Sequence, residues 1–168
     1  LQQNRGRDCF GLGMESEITH HQDFQKFPSV QAKHALGHCL HAVVDYVPQP
    51  LKRKGILVAN CEIYNWRELA AKYKFQVEND AELLLHLLDE FGVDKIEEVD
   101  GVFAFAYWRD NTLFLVRDLL GEKPIWYAHN QDNFAFASEK KALLALGYLD
   151  AQELNIVDAA PLALLEGP

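Results

Sequence analysis

Three consecutive residues, Asn60, Cys61 and Glu62, combine an amide, a thiol and a carboxylate that could take part in acyl chemistry. They follow residues 56–59, an apolar run that predicts a buried strand. A helix is predicted directly after them. Where a strand ends and a helix begins, backbone N–H groups and an amide side chain can face one point, as in an oxyanion site. The alternative is that this turn only begins a capped helix.

Two helices must position this segment. The first begins near Trp66, with Asn65 and Glu68 spaced as a capping box. A short strand is predicted around residues 75–77, and the second helix begins at Asp80 and ends at Gly92. Its apolar residues recur at helical spacing and give one broad face: Leu83, Leu84, Leu87, Leu88 and Phe91. Asp80 suits the positive end of this helix as a capping residue, and that role alone would account for it.

The C-terminal half has a different pattern. Four short β-rich runs at residues 102–108, 112–117, 125–128 and 134–137 predict an antiparallel meander. Strands followed by two central helices and more strands predict an α+β layered domain. No glycine-rich phosphate loop occurs, so ATP chemistry has no visible site, and we expect no cofactor.

Composition limits the classes of function. The length of 168 residues suits one domain, and the formal net charge of −9 argues against nucleic-acid binding. No apolar run is long enough for a membrane helix. The three cysteines, Cys9, Cys39 and Cys61, lack metal-ligand or disulfide spacing and indicate a reducing cytoplasm. The adjacent His20 and His21 lack further ligands, so we predict no metal site.

Seven sequence blocks, read together, resemble a known family. In chain order they are Arg5-Gly6-x-Asp8 with Gly11; Gly37-His38; Ala59-Asn60-x-Glu62-Ile63-Tyr64-Asn65; Asp80-x-Glu82-x-Leu84-Leu85; Asp100-Gly101-Val102-Phe103-Ala104-Phe105-Ala106; Arg117-Asp118-x-x-Gly121-x-Lys123-Pro124; and Ala137-Ser138-Glu139-x-Lys141-Ala142-Leu143. The chain is similar to the glutaminase domain of asparagine synthetase, a class II glutamine amidotransferase with the N-terminal-nucleophile hydrolase fold. The resemblance implies a four-layer αββα sandwich of two mostly antiparallel sheets. It assigns residues 1–150 to this domain and 151–168 to a tail or a connection to a synthetase partner.

The resemblance also implies a chemistry. In the family an N-terminal cysteine attacks the side-chain amide of glutamine, its own α-amino group acts as the base, and ammonia is released. The oxyanion-hole amide falls on Asn60 and the second donor on the backbone N–H of Cys61. The acidic residues that hold the substrate's α-ammonium fall on Glu62 and Asp80. Arg5 and Gly6 fall at positions near the amine of the attacking cysteine, and we expect that cysteine in an upstream segment.

Two departures from the family pattern raise an alternative function. The arginine that pairs with the substrate carboxylate falls on Leu40, and the neighbouring His41 is a weak substitute. The glycine after the oxyanion asparagine is Cys61, which is costly if that position needs a positive φ. The chain is therefore either a glutaminase that needs the upstream cysteine, or a degenerate regulatory or protein-interaction module. Neither Cys9 nor Cys61 is expected to replace the nucleophile, because free cysteines are more often buried apolar residues.

The resemblance implies partners as well. They are glutamine or a related amino acid, and an ATP-pyrophosphatase-like synthetase domain or subunit that receives the ammonia. No nucleic acid or membrane is expected, a cytoplasmic location is expected, and homo-oligomer formation stays open.

Overall fold

The computed structural model describes residues 6–14, 17–27, 31–42, 46–129 and 133–146, together with the backbone of residues 163–166. The strands are β1 (Cys9–Gly13), β2 (Ile18–His21), β3 (Leu36–Leu40), β4 (Leu51–Lys52), β5 (Ile56–Ile63), β6 (Gly101–Arg109), β7 (Thr112–Arg117), β8 (Trp126–His129), β9 (Phe134–Ala137) and β10 (Ala163–Glu166). The helices are α1 (Trp66–Tyr73), α2 (Asp80–Phe91) and α3 (Lys140–Ala145), and 3-10 turns span Phe24–Lys26 and Val93–Glu98.

The described strands form three sheets. The central sheet has the order β10-β7-β6-β5-β4, a second sheet has the order β2-β1-β3, and β8 and β9 form a hairpin. Every pairing in these sheets is antiparallel. The register between β5 and β6 places Asn60 opposite Ala104 and Cys61 opposite Phe103.

Residues 56–59 of strand β5 are buried on both faces because two layers cover them. Leu57, Ala59 and Ile63 alternate toward α1 and α2 and share one core with the leucines of α2. Ile56 and Val58 point to the opposite face, where they pack with Leu36 of β3 and residues of the β8–β9 hairpin. Helix α3 contacts that hairpin. The layers therefore run helix, sheet, sheet, helix, and the predicted α+β sandwich is confirmed, with its second β layer divided between a three-stranded sheet and a hairpin.

Two local predictions near α1 are wrong. Asn65 is the N-cap residue, but its side chain forms no cap hydrogen bond. It binds the segment before β6 instead, since Nδ2 donates to the carbonyl of Glu98 at 2.9 Å and Oδ1 accepts from the N–H of Asp100 at 3.0 Å. Residues 75–77 form no strand, because Phe75 donates its N–H to Ala70 at 2.9 Å and packs against the helix-side core.

The predicted meander is only partly present. Strands β6 and β7 form one hairpin and β8 and β9 another, but β8 does not continue the sheet at β7, whose outer neighbour is β10. The chain leaves the central sheet at Asp118, whose buried carboxylate accepts N–H groups from Phe103, Glu122 and Lys123 at 3.2, 3.1 and 3.2 Å. Gly121 completes this turn with a φ of 69°, a conformation that favours glycine.

None of the helices in the described ranges is long and apolar enough to cross a membrane. Within the same ranges, no three His, Cys, Asp or Glu side chains are grouped so that they could hold a metal ion.

Candidate functional site

The end of β5 presents two polar side chains where the second β layer no longer covers the sheet. Residues 56 and 58 are buried on that face, whereas Asn60 and Glu62, which continue the same alternation, are exposed. The side chain of Cys61 points to the other face and packs against the helix-side core. The amide of Asn60 and the carboxylate of Glu62 therefore share one opening, and the thiol of Cys61 does not reach it.

The backbone N–H of Cys61 points to the edge of β5 opposite β6, where no partner for it is seen among the described residues. The residues two positions before and after it direct their N–H groups to the same edge. Ala59 donates its N–H to Gln49 Oε1 at 2.6 Å, and Ile63 donates its N–H to Asp80 Oδ2 at 3.1 Å. Because alternate residues of a strand direct their N–H groups to the same side, Cys61 directs its N–H to this edge as well. It lies between two donors that side chains already satisfy, so it is placed to bind an anionic oxygen.

Gln49 takes the place of a neighbouring strand beside Ala59. Strand β4 begins at Leu51, which pairs with Leu57, so it does not reach Ala59. The buried side chain of Gln49 accepts the N–H of Ala59 and donates through Nε2 to its carbonyl at 3.0 Å. These two hydrogen bonds fix the backbone of Ala59, the residue before Asn60. This role of Gln49 was not predicted from the sequence because the contact is not local.

The structure removes one predicted role of Asp80, that of the helix cap, and its role in the site stays a prediction. The N-cap of α2 is Asn79, whose side chain accepts the N–H of Glu82 at 2.8 Å. Asp80 instead turns its carboxylate to the N–H of Ile63 on β5. Its second carboxylate oxygen retains capacity for another donor. Asp80 therefore belongs to the cluster at the end of β5 and is not required as the helix cap.

The thiol of Cys61 remains protonated at neutral pH. Burial raises its pKa well above the ordinary value, and the charge and hydrogen bonding of Asp80 raise the pKa further. The backbone of Cys61 is that of a regular strand, and the described non-glycine residues with positive φ are Lys74, Asp110 and Asn111. Cysteine in the place of the expected glycine therefore brings no backbone strain, and its contribution is a backbone donor.

Lys123 joins the cluster from a distant part of the sequence. Its Nζ donates to Glu62 Oε1 at 3.0 Å, and the two residues are separated by 61 positions. Lys123 belongs to one of the sequence blocks that carry the family resemblance, but no local pattern connects it to Glu62. Only the folding of the β7–β8 connection over the end of β5 brings the ammonium group to the site.

The remaining predicted residues lie at the edge of this arrangement. Gly6 is buried against the carbonyl of Leu40, where an added Cβ would collide, and Arg5 lies outside the described residues. Leu40 is buried in β3 opposite Cys9, so it supplies no charge. His41 is 69% exposed, and its Nδ1 lies 3.6 Å from the carboxylate of Asp8.

His38 is a half-buried histidine beside β5, and its Nδ1 atom is buried. Burial lowers its pKa to about 4, the backbone of Ala59 opposes this, and the charge of His20 lowers the pKa further. Its Nδ1 has no hydrogen-bond partner among the described residues. His38 is therefore neutral in the folded protein at pH values where an unfolded chain binds a proton.

This difference in proton binding predicts that the folded protein loses stability on acidification at pH values above those at which carboxylates titrate. Between about pH 6.5 and about pH 4 the unfolded state binds a proton at His38 and the folded state does not, so stability falls as the pH falls. From pH 7.5 to pH 5 we expect a loss of about 2 kcal/mol, at about 1.4 kcal/mol per pKa unit. Urea unfolding across this range measures it. His38→Asn should remove this contribution and leave that of His86, whose pKa is also lowered by burial. His41→Asn, at an exposed position, should retain the whole slope, and equal slopes for wild type and His38→Asn contradict the assignment.

Comparisons with known proteins show the family of the chain. A family model described as a glutamine amidotransferase domain matches residues 6–160. A candidate glutamine-hydrolysing asparagine synthetase of Methanocaldococcus jannaschii is 36% identical over 154 residues, which cover 83% of this chain and 28% of that protein. Asparagine synthetase (glutamine-hydrolysing) 3 of Bacillus subtilis is 38% identical over 123 residues, covering 65% of this chain and 20% of that protein. The chain thus spans less than a third of the length of these relatives.

The fold is also similar to that of a solved structure. Glutamine phosphoribosylpyrophosphate amidotransferase from B. subtilis superposes with a TM-score of 0.71 and 23% identity, covering 86% of this chain and 38% of that one. This likeness shows the N-terminal-nucleophile amidotransferase fold. Together with the family model and the sequence relatives, it establishes that the chain belongs to the class II glutamine amidotransferase family.

Proposed function

We propose that this site binds glutamine and that, when a cysteine is supplied at the N-terminus of the domain, it hydrolyses glutamine to glutamate and ammonia. The observation that carries the proposal is the backbone N–H of Cys61, which lies between the occupied donors of Ala59 and Ile63 and next to Asn60 on the strand. An amide donor and a backbone donor on adjacent residues suit the oxygen of a tetrahedral intermediate.

Each group then has a defined task. Attack of a thiolate on the side-chain amide places negative charge on the former carbonyl oxygen, and Asn60 and the Cys61 N–H donate to it. Each such donor contributes about 3 kcal/mol to the transition state. The carboxylates of Glu62 and Asp80 accept from the α-ammonium of the substrate. Since both donors lie on a strand whose backbone Gln49 and Asp80 hold, little reorganisation is needed when charge develops.

Ammonia release from glutamine tests the proposal. The chain is prepared with a cysteine-initiated segment joined upstream of Gly6, and a matched preparation carries alanine in place of that cysteine. We expect glutamine-dependent ammonia release from the first preparation and only background release from the second. Equal release from both, or none from either, contradicts the glutaminase function.

A second candidate is a non-catalytic amidotransferase-like module that senses an amino acid or binds a protein. The buried, uncharged Leu40 favours it, because an expected carboxylate-binding cation is missing there. Calorimetry with glutamine, glutamate and asparagine separates the two functions. Tight binding of glutamine with turnover supports the enzyme, whereas binding without turnover in the cysteine-initiated chain supports the module.

The partner of either form is proposed to be a synthetase domain or subunit that receives ammonia, supported by the names and greater length of the sequence relatives. A cytoplasmic location is supported by Cys9, Cys39 and Cys61, which are all free thiols. For docking of the partner we propose the C-terminal tail, because its β10 forms the edge of the central sheet. Equal recovery of a synthetase domain by intact and tail-deleted chains contradicts that docking site.

A further inference from the structure

Glu62 and Lys123 form an ion pair at the opening beside Asn60. The Nζ–Oε1 distance is 3.0 Å, and the Glu62 side chain is 64% exposed while that of Lys123 is 23% exposed. Ion pairs with this much exposure contribute little to stability, so a ligand that offers better partners can separate them. The pair therefore places one anion and one cation within reach of the same small molecule.

The position of Lys123 is fixed by its backbone. The buried carboxylate of Asp118 accepts the N–H of Lys123 and also the N–H of Phe103, the residue opposite Cys61 in the register. Burial raises the pKa of Asp118, but hydrogen bonds from Glu122, Lys123 and Phe103 outweigh it and keep the carboxylate ionised. The turn that carries Lys123 is thus attached to the strand adjacent to the Cys61 donor.

The charges around position 61 complement an amino acid zwitterion. Asp80, Lys123 and Glu62 all act electrostatically on Cys61, which gives two carboxylates and one ammonium at this end of β5. The α-ammonium of an amino acid needs acceptors and its α-carboxylate needs a cation. Leu40 is apolar and buried, so it offers no cation to the α-carboxylate. His41 lies against Asp8, whereas Lys123 contacts Glu62 at the site.

Arg117 is the other basic residue to consider. The register places it opposite Ala104, which is itself opposite Asn60, so Arg117 lies two strands away from Asn60. Two strand spacings amount to about 10 Å. Its guanidinium lies beneath Gly121. Lys123, in contrast, already contacts a residue of the site.

We propose that Lys123 binds the α-carboxylate of the amino acid substrate, while Glu62 and Asp80 bind its α-ammonium. This inference rests on the proposed binding of glutamine. In the free protein Glu62 forms an ion pair with Lys123. When the amino acid binds, its α-carboxylate takes the place of Glu62 beside Lys123, and its α-ammonium becomes a partner of Glu62. Lys123 thereby performs the task that an arginine at position 40 would otherwise perform.

A cycle of two proteins and two ligands tests this. Glutamine and 4-aminobutanamide, which is glutamine without its α-carboxylate, are titrated by calorimetry into wild type and Lys123→Met. We expect Lys123→Met to weaken glutamine about ten- to a hundredfold, the range for a hydrogen bond to a charged group. The affinity for 4-aminobutanamide should stay the same or rise, because Glu62 is freed. Lys123→Arg, which retains a cation, should keep most of the affinity for glutamine.

Lys72→Met is the matched control, since Lys72 also pairs with an exposed glutamate, Glu98, at 2.8 Å. It should leave both affinities unchanged. Equal loss of affinity for both ligands, or undiminished binding of glutamine by Lys123→Met, overturns the role of Lys123 while leaving glutamine binding in place. Failure of glutamine to bind wild type overturns the proposed function, and the inference with it.

Discussion

Asp89→Ala is expected to lower the free energy of unfolding by about 3–5 kcal/mol, because two backbone N–H groups and one hydroxyl lose their acceptor, in addition to the partly exposed Arg53, and each buried unsatisfied donor costs about 1–3 kcal/mol. The Asp89 side chain is fully buried near the end of α2. It accepts the N–H of Lys54 at 3.0 Å, the N–H of Gly55 at 2.9 Å and the hydroxyl of Tyr107 at 2.7 Å.

These contacts join α2, the β4–β5 turn and β6. Burial raises the pKa of Tyr107, and so does the hydrogen bond to Asp89, so the hydroxyl remains a donor over the whole range of stability measurements. Losing Asp89 therefore frees the turn that begins β5 and leaves the hydroxyl without its acceptor. Within the described ranges, Asp89 is the one carboxylate that accepts hydrogen bonds from both the β4–β5 turn and the side chain of Tyr107 on β6.

Glu90→Ala is the control for this prediction. Glu90 is adjacent to Asp89 and pairs with Arg53 at 2.6 Å and Lys54 at 2.8 Å, but its side chain is partly exposed. Its loss should cost no more than about 1 kcal/mol, as for other surface ion pairs. Urea unfolding of both variants at neutral pH measures the difference. Similar losses for the two variants would show that the Asp89 network is not the one that stabilises this region.

Asn60→Ala is expected to lower the turnover number for glutamine about 10²–10³-fold in the cysteine-initiated chain, the usual effect of removing one oxyanion donor. The KM should change less, because Asn60 donates mainly to the charge that develops in the transition state. Asn60→Asp keeps the shape and replaces the donor with an acceptor, so it should be at least as inactive. Turnover of Asn60→Ala within tenfold of the parent would contradict the assigned role.

Stability measurements separate this effect from unfolding. Asn60 is exposed at the end of β5, and no side-chain hydrogen bond of Asn60 is seen in the described part of the chain. We therefore expect Asn60→Ala to change the free energy of unfolding by no more than about 0.5 kcal/mol. A larger loss would attribute the fall in turnover to folding.

The sequence predicted those parts of the fold that depend on local patterns. The apolar run that became β5 and the leucine face of α2 carry their own periodicity, so both were recognised. Asn65 is the predicted N-cap residue of α1, but its side chain does not form the predicted capping box, because its partners Glu98 and Asp100 lie 33 and 35 residues away. The meander was extended too far because nothing in the β7–β8 connection indicates that Asp118 turns the chain into the other layer.

The candidate site shows the same division. The family resemblance selected Asn60, Glu62 and Asp80. The structure then showed that Asp80 accepts the N–H of Ile63, 17 residues earlier, and does not cap the helix. Gln49 and Lys123 were missed as site residues because their contacts with β5 cross sequence separations that no periodic pattern records. Side chains that support a site from other elements therefore required the structure.

The most direct test of the account is an amide NMR titration of the ¹⁵N-labelled chain with glutamine. We expect saturable shifts of the Cys61 backbone N–H and the Asn60 side-chain amide with a single dissociation constant, and we expect both shifts to be lost in Asp80→Asn. Shifts confined to other parts of the chain, or no shift at these two groups while glutamine binds, would contradict it.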